Sequence, residues 1–294
     1  DDFTPGNTAP TVTTVGGGSG PYSLTPLSPA QVQVTVGDAD TLQDLNTVTL
    51  CLYRTSGGDS TCSSIDTTNT IKIVWSRSTN TFALSAGSPT SWALNSPTGN
   101  YVATNVSMTL DFNFIPGKVA RTGAWSVKSI AADATTSTTD TDGDNFSMGY
   151  YGSVLANRSS YSYSTVASGG SSTNVNKSDG TFTSNDASDV TIRQTAFTMS
   201  SPTSKTAGIA AGAPTDAPSA GEVALDCNNT ATFPDATGAI RLTTGAQTLE
   251  SNVLTSGTGE TGSAGLVNSC RLSSGGRLPV GSYSATITMG IGAH

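Results

Sequence analysis

Apolar and polar residues alternate with a period of two through much of this chain. Val32, Val34 and Val36 are separated by polar residues, and Val48, Leu50 and Leu52 repeat the pattern after an Asp-rich turn. That period places one set of side chains on a buried face, as in a half-buried strand. The longest run is Val106, Met108, Leu110, Phe112 and Phe114, ended by Pro116-Gly117. Residues 70–75 and 81–84 predict a hairpin around the turn SRSTN, and 124–131 predicts the last strand of the first half. The second half opens at 146–154 (FSMGYYGSV), followed by a short strand at YSYSTV and a long polar loop over 168–189. Strands are predicted at 190–199, 222–227, 240–243 and 248–254, with 200–221 a loop or exposed arm. A turn then enters a final strand within 278–291, with Tyr283, Ala285, Ile287 and Met289 on one face. GLVNSCRL at 265–272 favours no particular element, and no amphipathic pattern exceeds two helical turns. Many short strands separated by turn signals predict an all-β chain of two tandem β-sandwich domains.

Residues 133–145 (DATTSTTDTDGDN) hold no apolar side chain larger than Ala and predict the domain boundary. The expected organisation is an extended N-terminal arm over 1–30, a sandwich over 31–139 and a second over 140–294. The arm is punctuated by Pro5, Pro10, Pro21, Pro26 and Pro29, with a short edge strand at Thr11–Val15 before the flexible joint GGGSG. Such a strand either belongs to its own domain or reaches a neighbouring subunit by strand addition.

Composition narrows the function classes. Of 294 residues only 12% are charged, and the net charge is −8 with 13 Lys plus Arg. No cluster of cations exists to hold phosphates, so nucleic acid is not an expected partner. No apolar run approaches membrane-spanning length. The neutral, hydroxyl-rich surface suits a secreted or cell-surface protein. A start at DDFTPGNTAP, without Met, fits a processed secreted protein or a trimmed sequence alike.

Four cysteines fall two per half: Cys51 with Cys62, and Cys227 with Cys270. This distribution predicts one disulfide in each half and an oxidising compartment, the alternative being four free thiols. Trp75, Trp92 and Trp125 all lie in the first half. Their spacing over separate strands favours a core over a sugar-stacking platform.

Two Asp clusters are candidate cation ligands or plain solvated turns. Asp38, Asp40 and Asp44 lie between two core strands, and Asp140, Asp142 and Asp144 alternate in DTDGDN. The latter is no EF-hand loop, because Gly143 comes two residues early and Tyr151 stands in place of the bidentate Glu. The two clusters are also placed to share one site at the domain junction. Sequons occur at Asn105, Asn145, Asn157, Asn176 and Asn228; the glycosylation candidates are the last four, since Asn105 opens a strand.

Residues 31–133 resemble the immunoglobulin-like domains, of PKD or cadherin-like type, of bacterial and archaeal cell-surface proteins. The resemblance rests on VQVTVGDADTLQDLNTVTLCLY, with its VxDxD turn, and on the later GAWSVKSIAAD. In that class the acidic turn often helps bind calcium near a domain end, which implies Asp38, Asp40 and Asp44 as ligands here and brings no catalytic residue. The second half matches no family.

Catalysis has little to work with. The single His is His294, the terminal residue, and Glu222, Glu250 and Glu260 form no recognisable acid–base pair. The expected function is therefore not enzymatic. It is structural: a subunit of a pilus-like fibre or surface layer, with other copies of itself as partners, glycans or a cell surface as further ones, and calcium as the candidate cofactor. The alternative is a monomeric adhesin or glycan-binding module.

Overall fold

The computed structural model describes residues 7–15, 22–66, 68–85, 92–157, 160–172, 176–200, 205–229, 239–254 and 264–294. Among them every regular element is a strand, and no helix is long and apolar enough to cross a membrane. The chain is all-β, and its described residues divide into two compact units, the first ending at Tyr151 and the second beginning at Gly152.

The first unit contains β1 (Thr11–Val15), β2 (Tyr22–Leu24), β3 (Ala30–Gly37), β4 (Thr47–Arg54), β5 (Thr70–Ser76), β6 (Thr81–Leu84), β7 (Ala93–Leu94), β8 (Thr98–Gly99), β9 (Ser107–Ile115), β10 (Gly123–Ala132) and β11 (Ser137–Met148). One sheet runs β1-β3-β9-β7, with β8 also on β9; the other runs β2-β11-β10-β4-β5-β6. The alternating residues meet between the sheets. Val32, Val34 and Val36 from β3 and Leu110, Phe112 and Phe114 from β9 share a core with Leu50, Leu52, Ile71 and Ile73. Trp75, Trp92 and Trp125 are buried in the same core, as their spacing predicts. Trp75 also donates Nε1–H to Asn80 Oδ1 at 3.1 Å, which ties the SRSTN turn to the strand before it.

Cys51 lies on the opposite side of β4 from Leu50 and Leu52, and bonds to Cys62. The bridge pins the 55–62 loop against the outer side of the sheet, where Lys128 Nζ donates to Ser60 O at 3.2 Å. Asp59 organises the same loop, accepting Thr61 N at 2.8 Å, Ser63 Oγ at 2.9 Å and Ser64 N at 2.6 Å. These donors hold its carboxyl well below the usual range, the Thr61 hydroxyl contributing most.

β11 corrects the expected boundary. Residues 137–148 continue the first unit's sheet, pairing with β10 from Ala132–Ser137 to Gly123–Met148, so the division falls after Tyr151 and not at 139/140. Ser, Thr and Asp along β11 show no apolar alternation, yet the backbone ladder needs none, and Phe146 and Met148 enter the first core. The strand at 124–131 is consequently not the last of its unit.

The second unit contains β12 (Gly152–Ala156), β13 (Asn176–Ser184), β14 (Ser188–Gln194), β15 (Phe197–Met199), β16 (Thr206–Ile209), β17 (Glu222–Asn228), β18 (Ile240–Arg241), β19 (Gln247–Val253), β20 (Ala264–Ser274), β21 (Tyr283–Ser284) and β22 (Ile287–Ala293). A large sheet runs β12-β13-β20-β17-β16-β15-β21, with β18 on β17, and a small one runs β19-β14-β22. Ile192 and Leu249 of the small sheet pack with Val223, Leu225 and the Cys227–Cys270 bridge of the large one. The two cysteines are directly opposed between β17 and β20.

Several expectations for this half change. The polar stretch 168–189 contains β13, held by ladders to β12 and β20. The predicted strand 190–199 splits at Thr195-Ala196, sending β14 and β15 to different sheets. Residues 206–209 of the expected loop pair with β15 and β17 as β16. YSYSTV forms no strand; its Tyr161 and Tyr163 hydroxyls instead donate to Asn268 Oδ1 at 3.0 Å and Cys270 O at 3.1 Å. The final segment breaks into β21 and β22, but Tyr283, Ala285, Ile287 and Met289 all pack on the second core as expected.

Candidate metal centre

The acidic turn between β3 and β4 is shaped by two leucines. Leu42 and Leu45 are fully buried and close one end of the first core. The backbone around them is tied to neighbouring loops by Asp38 N to Val106 O at 2.9 Å, Leu42 N to Asn105 O at 2.7 Å and Asn46 N to Ala132 O at 2.8 Å. With the leucines anchored inward, Asp38, Asp40 and Asp44 gather, each offering an oxygen within 4.8 Å of the others.

Asp38 is the key to the cluster. It is 2% exposed; its Oδ1 accepts Asp40 N at 2.9 Å, while its Oδ2 is buried with no hydrogen-bond partner. A buried carboxylate oxygen without a donor is costly. Burial raises the Asp38 pKa most; the Asp40 N–H pulls the other way, and the charges of Asp44, Asp40 and Asp133 push it further up. Asp40 is exposed and accepts Thr8 N through Oδ2 at 2.7 Å.

Asp133 lies close enough to repel Asp38 but is satisfied by other partners. Its Oδ1 accepts Thr135 N at 2.6 Å, and its Oδ2 accepts Thr136 Oγ1 at 2.6 Å and Asn7 Nδ2 at 3.0 Å. Led by the Thr136 hydroxyl, these donors hold its carboxyl well below the usual range. The contrast separates an acid satisfied by protein donors from one, Asp38, with a buried oxygen that no protein donor meets. Three carboxylates on one turn supply the hard oxygen donors that suit calcium.

The second Asp cluster takes another position. Asp140 stands in β11 opposite Ser129, not in a turn, and is not among the three gathered oxygens. The side chains of Asp142, Asp144 and Asn145 lie outside the described residues. Asn7, Thr8 and Asp133 were not legible as neighbours of the acidic turn, because the Asn7–Asp133 contact spans 126 positions and no local pattern marks it.

Of the sequons, Asn157 is exposed and Asn176 is half-buried, donating Nδ2–H to Ser162 O at 2.7 Å. Asn228 is 2% exposed within β17 and corrects the expectation of a glycan there, since the folded unit does not present it to solvent. Asn105, set aside on sequence, is exposed.

Two other groupings of polar residues stand apart from the turn. Arg241 and Asp226 form a buried ion pair at 2.9 Å, and Arg241 also donates to Ala211 O and Asp216 O, fastening the 211–216 loop to β17. His294 Nδ1 lies 2.7 Å from Asp189 Oδ1, a bond that lowers the Asp189 pKa. Around β8 run two adjoining shallow cavities of about 430 and 460 Å³, which share Thr98 and Gly99 and are bordered by Phe82, Asn100 and Asp111.

The chain is thus an all-β protein with a sandwich core and a disulfide in each unit, and with an acidic cluster at one end of the first. No protein-family model matches it, and no curated protein matches it at a significant level.

Proposed function

We propose that this chain is a structural subunit of an extracellular assembly, a pilus-like fibre or a surface layer. Its copies join through strand and sandwich contacts, and calcium at Asp38, Asp40 and Asp44 stiffens the first, immunoglobulin-like sandwich. One observation carries the reading: among the described residues, the first and last strands are both edge strands. β1 ends the order β1-β3-β9-β7 and β22 ends the order β19-β14-β22. Their sequences, TVTTV and ITMGIGA, contain neither charge nor Pro, the usual devices that stop an edge from pairing with another chain. A bridge in each unit adds durability in an oxidising compartment, which supports a location outside the cell. Catalysis has no part in this reading.

Electron microscopy and light scattering of the purified chain test it. Fibres or sheets that disappear on deleting residues 1–20 are the expected result. Monodisperse particles under all ionic conditions refute it. The cavities beside β8 favour a second reading, a monomeric adhesin for neutral glycans. A glycan array showing binding that Asp111→Ala abolishes, with no assembly, would favour it instead.

A further inference from the structure

We infer that the outer edge of β3 is a docking site for the strand Thr11–Val15 of a second copy of this chain, locked by the cation held at Asp38, Asp40 and Asp44. The lock rests on the calcium reading above, whereas the strand docking does not.

The chain's own β1 demonstrates the fit. It pairs antiparallel along β3 from Thr11–Gly37 to Val15–Gln33. A second copy's identical strand meets the same partners, which is the basis of strand exchange between protomers. Gly37 makes the approach possible, since a Cβ there would stand 2.8 Å from Thr11 Oγ1 and 3.2 Å from Val106 O. Val12 anchors the strand in the first core, while Thr11 and Thr13 are exposed.

The acidic end supplies the lock. Upstream of β1, Thr8 N meets Asp40 Oδ2 at 2.7 Å, and Asn7 Nδ2 meets Asp133 Oδ2 at 3.0 Å and Thr135 Oγ1 at 2.7 Å. Gly37, the last β3 residue under the strand, directly precedes Asp38. Asp40 therefore serves both sets of contacts. A divalent cation shared by Asp38, Asp40 and Asp44 offsets their mutual repulsion and holds the Asp40 carboxylate where Thr8 N meets it. A cation that binds the strand-docked form better must, by linkage, favour docking by the same factor.

Mixing two full-length variants, Thr13→Cys and Thr35→Cys, tests the docking, because these positions are directly opposed in the β1–β3 register. A disulfide-linked heterodimer forms only when one chain's β1 lies on the other's β3, and neither variant alone carries an opposing cysteine. Its absence overturns the docking site. Hydrogen exchange of the 8–15 amides in the unmodified chain, with calcium titrated and its binding followed by calorimetry, tests the lock. Exchange is expected to slow by up to about 100-fold at calcium 100 times its Kd. By reciprocity, Val12→Ala, which removes the strand's buried anchor and changes no residue of the acidic turn, weakens calcium binding. Calcium binding without slower exchange overturns the lock alone. A lack of calcium binding removes the cation reading and the lock with it, while the cross-link still decides the docking.

Discussion

Replacing Asp38 with Asn should make the protein more stable without calcium and less stable with it. The wild-type carboxylate is 2% exposed, has one oxygen without a donor, and stands within 4.8 Å of two other carboxylates. A pair of like charges at that distance repels by roughly 3 kcal/mol at an effective dielectric of about 20. Solvent around Asp40 screens much of this, leaving about 1–2 kcal/mol for the charge removed. Asn retains an oxygen for the Asp40 N–H and turns an NH₂ toward the remaining carboxylates. The gain corresponds to a melting temperature about 3–6 °C higher in chelator, for a unit of this size. In calcium at 100 times its Kd, the wild type gains about 2.7 kcal/mol and the variant much less, so their order inverts. Because the Asp38 pKa is raised on folding, the wild type in chelator should also lose stability as pH rises from the ordinary value of 3.8 through the raised one, a loss the variant lacks. Scanning calorimetry in chelator and in calcium checks each point. A variant that melts below the wild type in chelator, or that responds equally to calcium, refutes the electrostatic account of the turn.

Other perturbations have equally definite outcomes. Cys51→Ser with Cys62→Ser should cost about 2–3 kcal/mol by chemical denaturation, since the bridge closes a short loop. Asp133 has the opposite sign from Asp38: its lowered pKa gives stability that is present above 3.8 and lost as pH falls below it. The urea midpoints of wild type and Asp133→Asn should therefore converge on acidification from pH 5; a constant gap would exclude that role. Arg241→Ala should cost about 3–5 kcal/mol, because it leaves Asp226 buried and unpaired. Arg241→Ala together with Asp226→Ala should recover part of the loss in the same denaturation assay.

What the sequence alone determined follows from its alternation. Where one face of a strand is buried, a period of two must appear, and β3, β4, β5 and β9 were legible to within a residue or so for that reason. The three Trp in one core and the pairing of cysteines within each half followed from residue type and spacing. Three Asp in one short turn between core strands were legible as a group, and Asp38, Asp40 and Asp44 do come together. Tertiary structure decided what no period records. β11 and β13 are polar strands held by backbone ladders, and backbone donors and acceptors are the same in every residue except Pro, so their side chains gave no sign of strand and the domain boundary was placed too early. Tertiary structure likewise decided the condition of each carboxylate. In the chain Asp38 and Asp133 are both acids in polar stretches. In the fold one is satisfied by Thr hydroxyl and backbone donors, and the other is buried with an oxygen to spare, because neighbours up to 126 positions away set the desolvation and the hydrogen bonds that each carboxylate meets.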